Sequence, residues 1–219
     1  FINKVRNFIQ GGAIDALKEF WFQLRKNINH NYYKINPYKL GAFGRYKIKR
    51  LRKKSLKKEL VNNQRSINLN RHYVYFALHF EPERTTNPDG GAFHDQYLAI
   101  LQLRKLIPEN IDIFVKEHPS QFYMSDKGSR GRSPLFYESI HNVKGVHLIN
   151  MDIDSIDLIK NSILVSTITG SVALEAAVMG RKSVIFGDTW FNNCPNVFTW
   201  TEDLSFDNII KPVSYTHLR

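Results

Sequence analysis

Four polar clusters in the sequence each follow a short run rich in β-branched and aromatic residues. The clusters cover residues 79–91, 116–120, 166–175 and 186–191. Strands that alternate with helices form parallel sheets, and the ligands of such sheets bind beyond the carboxyl ends of the strands. We therefore expect the four clusters to meet at one edge of a sheet and to supply its binding site.

The third cluster combines a strand end, a Thr-Gly-Ser turn and the start of a helix. Thr169 and Ser171 offer hydroxyl donors, Gly170 allows close backbone approach, and the free N–H groups of a first helical turn attract phosphate. Glu175 lies four residues after Ser171 on the same helical face, where its carboxylate can accept hydrogen bonds from ribose hydroxyls. The pattern predicts a nucleotide site, with a plain helix N-cap and a charged helix residue as the alternative.

The second cluster places His118 directly before Pro119, and the proline favours an extended conformation that keeps the imidazole at the strand end. Lys116 and Lys127 are near in sequence, which indicates that an anion binds in this region. We predict that His118 and Lys116 contact phosphate. The alternative for His118 is a structural histidine.

Asp152 and Asp154 form a D-x-D pattern, which can hold a divalent cation after a strand. Asp154 also stands directly before an apolar helical stretch, where an aspartate caps the helix. We prefer the cap and predict no metal site.

The elements that must position these clusters alternate between strands and helices from residue 71 onward. The sequence predicts five strands, over 73–78, 112–116, 146–149, 162–166 and 183–186. Helices are predicted over 93–106, 135–141, 155–160 and 171–179. The predicted fold is α/β, a doubly wound parallel sheet preceded by basic helices over 14–28 and 45–61.

Positive charge is concentrated at the start of the chain. The 219 residues carry a formal net charge of +11, and residues 1–70 hold 17 Lys and Arg against 3 Asp and Glu. The dense basic run over 45–58 is typical of a solvated connecting helix or of a surface that binds an anionic membrane, and both remain open. We do not expect nucleic acid as a partner, because no RNP-like, helix-turn-helix or zinc-finger pattern is present.

Three segments follow from these shifts in composition. Residues 1–70 are predicted to be a basic helical segment that is a remnant of, or linker from, a missing N-terminal domain, and residues 71–211 the α/β domain. The last segment, 212–219, reads PVSYTHLR and resembles a translated sequencing adapter, so we expect a non-native tail, with a genuine tail as the alternative. The start at Phe1 without a signal-peptide pattern predicts a fragment of a longer soluble protein. The single cysteine, Cys194, excludes a disulfide framework and a Cys-rich zinc site.

Taken together, three of the clusters resemble a known family. YVYFALHFEPERTTNPDGG, FVKEHPSQF and STITGSVALEAAVMGRKSVIFGDTWF are similar to the C-terminal half of capsule and surface-polysaccharide biosynthesis proteins, a group related to bacterial Kdo transferases of the GT-B fold. The resemblance covers roughly residues 73–200. It implies a Rossmann-like domain that binds a nucleotide sugar and faces a second, acceptor-binding domain.

The resemblance also implies roles for the residues named above. His118 and Pro119 match a His-Pro motif that contacts the donor's phosphate, and Thr169, Gly170, Ser171 and Glu175 match a turn and glutamate that contact phosphate and nucleoside. The implied activity is glycosyl transfer from a nucleotide-activated donor, a CMP-linked acidic sugar such as Kdo, to a glycan or lipid-linked acceptor. No cofactor or metal is expected, since the donor is the substrate. The implied place is the cytoplasm, peripheral to the inner face of the cell membrane.

Sugar transfer needs a carboxylate near the anomeric carbon and positive groups that stabilise the leaving phosphate. The local carboxylate candidates are Glu81 and Glu83, and we predict Glu81 as the catalytic group, with a structural or loop-bracing role as the alternative. Two other functions remain open from the sequence. One is a nucleotide-sugar epimerase of the UDP-GlcNAc 2-epimerase type, and the other is a non-catalytic subunit of polysaccharide assembly.

Overall fold

The computed structural model describes residues 41–69, 71–82, 88–123 and 131–211. Contacts divide the chain into two units, Phe1–Leu56 and Lys57–Arg219, and the sheet and the site lie in the second unit. The helix predicted over 14–28, Lys127 and the predicted tail over 212–219 lie outside the described residues.

The described strands and helices alternate along the second unit. The strands are β1 (Tyr73–Ala77), β2 (Asp112–Lys116), β3 (Val146–Ile149), β4 (Leu164–Thr167), β5 (Ser183–Ile185) and β6 (Val197–Thr199). The α-helices, numbered over the described residues, are α1 (Ala42–Asn63), α2 (Gln96–Leu106), α3 (Ser120–Tyr123), α4 (Pro134–His141), α5 (Ser155–Asn161), α6 (Val172–Val178) and α7 (Phe206–Ile210). A short 3-10 helix spans Gly91–His94.

The six strands form one parallel sheet in the order β3-β2-β1-β4-β5-β6. Tyr75 of β1 lies opposite Phe114 of β2 on one side and Val165 of β4 on the other. The chain builds outward from β1 in one direction and then, from β4, in the other, so the strand order reverses between β1 and β4. Such a reversal leaves a crevice at the carboxyl ends of the two strands, which is where open α/β sheets bind ligands.

Both faces of the central strands are covered. On one face Tyr73 stacks on Phe114, with ring centroids 4.5 Å apart, in a cluster that includes Leu158 of α5 and Ala176 of α6. Successive side chains of a strand point to opposite faces, and Phe76, on the other face, is also fully buried. Apolar runs such as YVYF are therefore typical of this sheet, and burial of each large side chain stabilises the fold by roughly 1.5–3 kcal/mol.

The predicted α/β class and the parallel sheet are confirmed, and the predicted strands over 112–116 and 146–149 have the observed bounds. The prediction of five strands is wrong, because β6 adds a sixth at the sheet edge. β6 follows β5 with no α-helix between them, so the alternation of strands and helices does not predict it. In the described part of the chain, no helix is long and apolar enough to cross a membrane.

Candidate functional site

A polar pocket lies at the carboxyl ends of β1, β2 and β4, where the strand order reverses. It has a volume of about 220 Å³. Its lining includes residues from three of the clusters and from the first turns of α5 and α6, among them His79, Lys116, His118, Ser155, Ser171 and Glu175. Four predicted site residues, Lys116, His118, Ser171 and Glu175, therefore share one pocket, and Thr169 and Gly170 form the turn beside it.

A larger cavity of about 490 Å³ lies at the amino ends of the strands, away from the carboxyl ends that form the polar pocket. Arg71 and Asp112, which stand at the amino ends of β1 and β2, line it with Ile163, Phe206 and Ile210. We assign the functional site to the smaller pocket, because the carboxyl ends of parallel strands carry the ligand contacts in this fold class.

His118 presents one imidazole nitrogen as a hydrogen-bond donor. Its Nδ1 accepts a hydrogen bond from the backbone N–H of Ser120 at 3.1 Å. Since Nδ1 is the acceptor, the proton of the neutral ring resides on Nε2. The residue is exposed and lines the pocket, so His118 can donate to an anion there.

Ser171 and Glu175 form a polar pair on the exposed first turn of α6. The Ser171 hydroxyl donates to Oε1 of Glu175 at 3.0 Å and makes no capping hydrogen bond to the helix backbone. Ser171 thus occupies the N-cap position without using its hydroxyl as a cap. Both side chains line the pocket, where a hydroxyl and a carboxylate can meet a phosphate and a diol respectively.

His79, which lies two residues beyond β1, holds the turn between β4 and α6. Its Nε2 accepts the backbone N–H of Thr169 at 3.1 Å and lies 3.0 Å from Oγ1 of Thr167. Burial, together with smaller effects of Arg132 and His118, lowers the pKa of His79 from 6.5 to about 4, so the ring is neutral near pH 7. The acceptor at Nε2 places the ring proton on Nδ1.

Gly170 fits this turn because a side chain would collide with its neighbours. A Cβ there would lie 2.8 Å from Oγ1 of Thr167 and 3.4 Å from Nε2 of His79. The glycine is therefore required by the packing of the protein itself.

Lys116 is engaged inside the protein. Its Nζ donates to the carbonyl of Ile153 and, at 2.8 Å, to the hydroxyl of Ser155, and the residue is 5% exposed. Burial lowers the pKa of Lys116, and the carboxylates of Asp154 and Asp152 oppose that change. The lysine thus links the end of β2 to the connection between β3 and α5, while its side chain lines the pocket.

A buried ion pair lies beside the pocket, and the sequence did not predict it. Arg132 contacts Glu117 with Nε and Oε2 3.0 Å apart, and both side chains are almost fully buried. Glu117 Oε2 also accepts the Tyr137 hydroxyl at 2.6 Å, while Arg132 donates to the His79 carbonyl at 2.7 Å. The network joins the ends of β1 and β2 to α4. A glutamate directly after an apolar strand was the available signal, but its partner lies 15 residues further along the chain, in a stretch of sequence rich in Gly, Ser and Arg.

Glu81 lies outside the residues that line the pocket. Its carboxylate accepts Nε2 of Gln96 at 2.8 Å, and its backbone exchanges two hydrogen bonds with the side-chain amide of Gln121. The side chain is partly exposed. The structure thus holds Glu81 in a defined position beyond the end of β1.

The fourth cluster packs against the loops after β1 and β4. Gly187 follows β5, and a Cβ there would lie 2.5 Å from Cγ2 of Thr169 and 2.8 Å from the carbonyl of Asp89. The N–H of Asp188 donates to that carbonyl at 3.0 Å. The loops after β1, β4 and β5 therefore pack against one another.

Asp154 caps α5, as predicted: its carboxylate accepts the N–H of Ile156 at 2.6 Å. Among residues 41–69, 71–82, 88–123 and 131–211, no three His, Cys, Asp or Glu side chains come together as metal ligands. Of the two D-x-D aspartates, Asp154 thus serves the start of α5 through its side chain.

The strand order and the pocket at its reversal define a Rossmann-like α/β protein. Residues 16–202 match the family model described as capsule polysaccharide biosynthesis protein, and the chain belongs to this family. This confirms the resemblance of the three motifs and extends it toward the start of the chain. No curated protein sequence matches.

Several solved structures are similar to this chain at low identity. Two are KpsC proteins of Thermosulfurimonas dismutans. The one named a β Kdo 2,4 transferase is 15% identical with a TM-score of 0.41, over 67% of this chain and 48% of its own. The one named a β Kdo 2,7 transferase is 14% identical with a TM-score of 0.46, over 85% and 55%. UDP-GlcNAc 2-epimerase from Methanocaldococcus jannaschii is 15% identical with a TM-score of 0.43, over 70% and 43%. The chain thus spans about half the length of these proteins.

Proposed function

We propose that this chain is the nucleotide-sugar-binding part of a glycosyltransferase that builds a capsule or surface polysaccharide. The observation that carries the proposal is the pocket at the reversal of strand order, which gathers the exposed donors of His118 and Ser171 with the carboxylate of Glu175. Membership in the capsule polysaccharide biosynthesis family supports the same function.

In this proposal the pocket binds the diester phosphate and the ribose of the donor. The Nε2–H of His118 donates to one phosphate oxygen, and the hydroxyl of Ser171 exchanges its bond to Glu175 for a bond to another as the donor binds. Both contacts strengthen as the leaving phosphate gains charge. Glu175 accepts hydrogen bonds from the ribose hydroxyls. His79 and Gly170 keep the turn in place, and neither needs to contact the donor.

Glu81 is the proposed catalytic carboxylate. Glu117 lines the pocket but is fully buried, and its two oxygens already bind Arg132, Tyr137 and the backbone N–H of His118. Glu81 is partly exposed, and Gln96 orients its carboxylate. A base must meet the acceptor hydroxyl, so its partial exposure suits the task.

For the donor we propose a CMP-linked acidic sugar such as Kdo, as the resemblance of the motifs implies, and for the acceptor a glycan or lipid-linked glycan. Calorimetric titration with CMP, UDP, GDP and ADP tests the donor. We expect selective binding of CMP and, with Glu175→Ala, about a tenfold loss for CMP without a matching loss for inorganic phosphate. Equal losses would remove Glu175 from ribose contact.

Measurement of donor turnover with and without an acceptor distinguishes a transferase from an epimerase and from a non-catalytic subunit. A transferase consumes the donor only when an acceptor is present, whereas conversion of a UDP-sugar without acceptor would favour an epimerase. No binding of any nucleotide by the folded chain would favour the non-catalytic assembly subunit and contradict the proposal.

A further inference from the structure

One exposed face of α1 carries a row of basic side chains with an apolar residue at each end. We call this row the basic stripe; it comprises Phe43, Lys47, Arg50, Lys54, Lys57 and Val61. The residues recur at alternating steps of four and three, which places them on one face of an α-helix. All six are exposed, with Phe43 at 79% and Val61 at 55%.

The rest of α1 is consistent with a stripe that faces outward. Arg52, Leu56 and Leu60 follow one another at steps of four on another face, and all three are buried. The sole acidic residue of α1, Glu59, stands outside the stripe. From Phe43 to Val61 the stripe extends about 27 Å, and its four cations occupy the central part of about 15 Å between Lys47 and Lys57.

The chemistry of the stripe matches an anionic lipid surface. Such a surface presents phosphates above an apolar layer, so the four cations can meet head groups while Phe43 and Val61 enter the interface at either end. Tyr46, 57% exposed beside Phe43, adds an amphipathic ring of the kind found at membrane interfaces. The apolar residues at both ends of the stripe suit a lipid interface better than a nucleic-acid backbone, which presents phosphates without an apolar layer.

We propose that the basic stripe docks this protein on an anionic phospholipid membrane, with α1 lying along the surface. This inference goes beyond the proposed function, because no residue of the stripe lines the donor pocket. A transferase docked in this way would act beside a lipid-linked acceptor.

Vesicle co-sedimentation of the whole 219-residue chain tests the proposal. We expect binding to vesicles that contain phosphatidylglycerol, little binding to pure phosphatidylcholine, and release as salt is raised. The variant K47Q/R50Q/K54Q/K57Q should lower partitioning on the order of a thousandfold, since the contributions of the four basic residues near an anionic surface multiply. The matched control K105Q/K144Q/K160Q/K211Q removes the same charge from exposed positions outside α1 and should partition like the wild type.

A second variant separates loss of charge from loss of folding. K47R/K54R/K57R keeps the charge and should retain vesicle binding, and circular dichroism should be alike for all variants. Equal losses in the stripe and control variants would overturn the proposal, as would equal binding to neutral and anionic vesicles. Tighter binding to single-stranded RNA than to vesicles would also overturn it in favour of a nucleic-acid surface.

Discussion

His79 is the side chain on which the turn before α6 depends. The ring accepts the N–H of Thr169, and this bond exists only while Nε2 is unprotonated. Histidines often act in proteins by exchanging protons, but His79 acts by holding the backbone of this turn in place. The ring would also lie 3.4 Å from a Cβ at position 170, so it leaves little room there for a residue larger than glycine.

The depressed pKa of His79 predicts a stability that falls with acid. The unfolded chain takes up a proton on His79 near pH 6.5, whereas the folded chain does so only near pH 4. Unfolding is therefore favoured as the pH falls through this window, by up to ~3 kcal/mol, with no further change below it. Urea denaturation of the wild type and His79→Gln should show a difference in unfolding free energy that shrinks from pH 7 to pH 4. A difference in unfolding free energy that stays the same from pH 7 to pH 4 would contradict a buried, neutral His79.

Arg132 is predicted to matter for folding because of the charge that it neutralises. Arg132→Met leaves the carboxylate of Glu117 buried without its cation, so we expect the free energy of unfolding to fall by about 3–5 kcal/mol. Glu117→Gln/Arg132→Met removes both charges and should recover part of the loss. Lys144→Met breaks an ion pair with Glu109 whose partners are both highly exposed, and it should have little effect. Similar losses at the two sites, measured by urea denaturation, would show that burial of the Arg132 pair is unimportant.

The turn between β4 and α6 is the element that brings the site together. It contacts His79 from the β1 loop and Gly187 from the β5 loop, so its path is fixed by three strand ends. The sequence predicted this turn from its Thr, Gly and Ser residues. It did not predict that a side chain at position 170 would collide with Thr167 and His79, because these two residues come together only in the folded sheet.

Gly170→Ala tests this packing. The added Cβ would meet Oγ1 of Thr167 at 2.8 Å, so we expect about 1–3 kcal/mol less stability and weaker nucleotide binding as the turn shifts. Gly41→Ala is the matched control, since no described atom lies within 4 Å of a Cβ at that position. Thermal denaturation and nucleotide titration provide the two measurements. An unchanged melting temperature and affinity for Gly170→Ala would mean that the turn accommodates a side chain.

At the scale of the whole molecule, the sequence predicted those features of the fold that depend on neighbouring residues in the chain. The apolar runs gave β2 and β3 with their observed bounds, and the polar clusters after the strands indicated one shared edge. The buried pair of Glu117 and Arg132 and the role of His79 depend on contacts between distant parts of the chain, which a single sequence does not encode as a local pattern. β6 was missed because no helix separates it from β5, so it falls outside the alternation of strands and helices on which the prediction relied.

The central claim is that the pocket at the reversal of strand order binds the donor's phosphate through His118. The most direct measurement is calorimetric titration of CMP into the wild type, His118→Ala and, as a matched exposed histidine outside the pocket lining, His94→Ala. We predict about a tenfold or greater loss of affinity for His118→Ala and none for His94→Ala, since a charge-assisted hydrogen bond is removed in the first alone. Equal affinity of all three folded proteins for CMP, or no binding by the wild type, would contradict the claim.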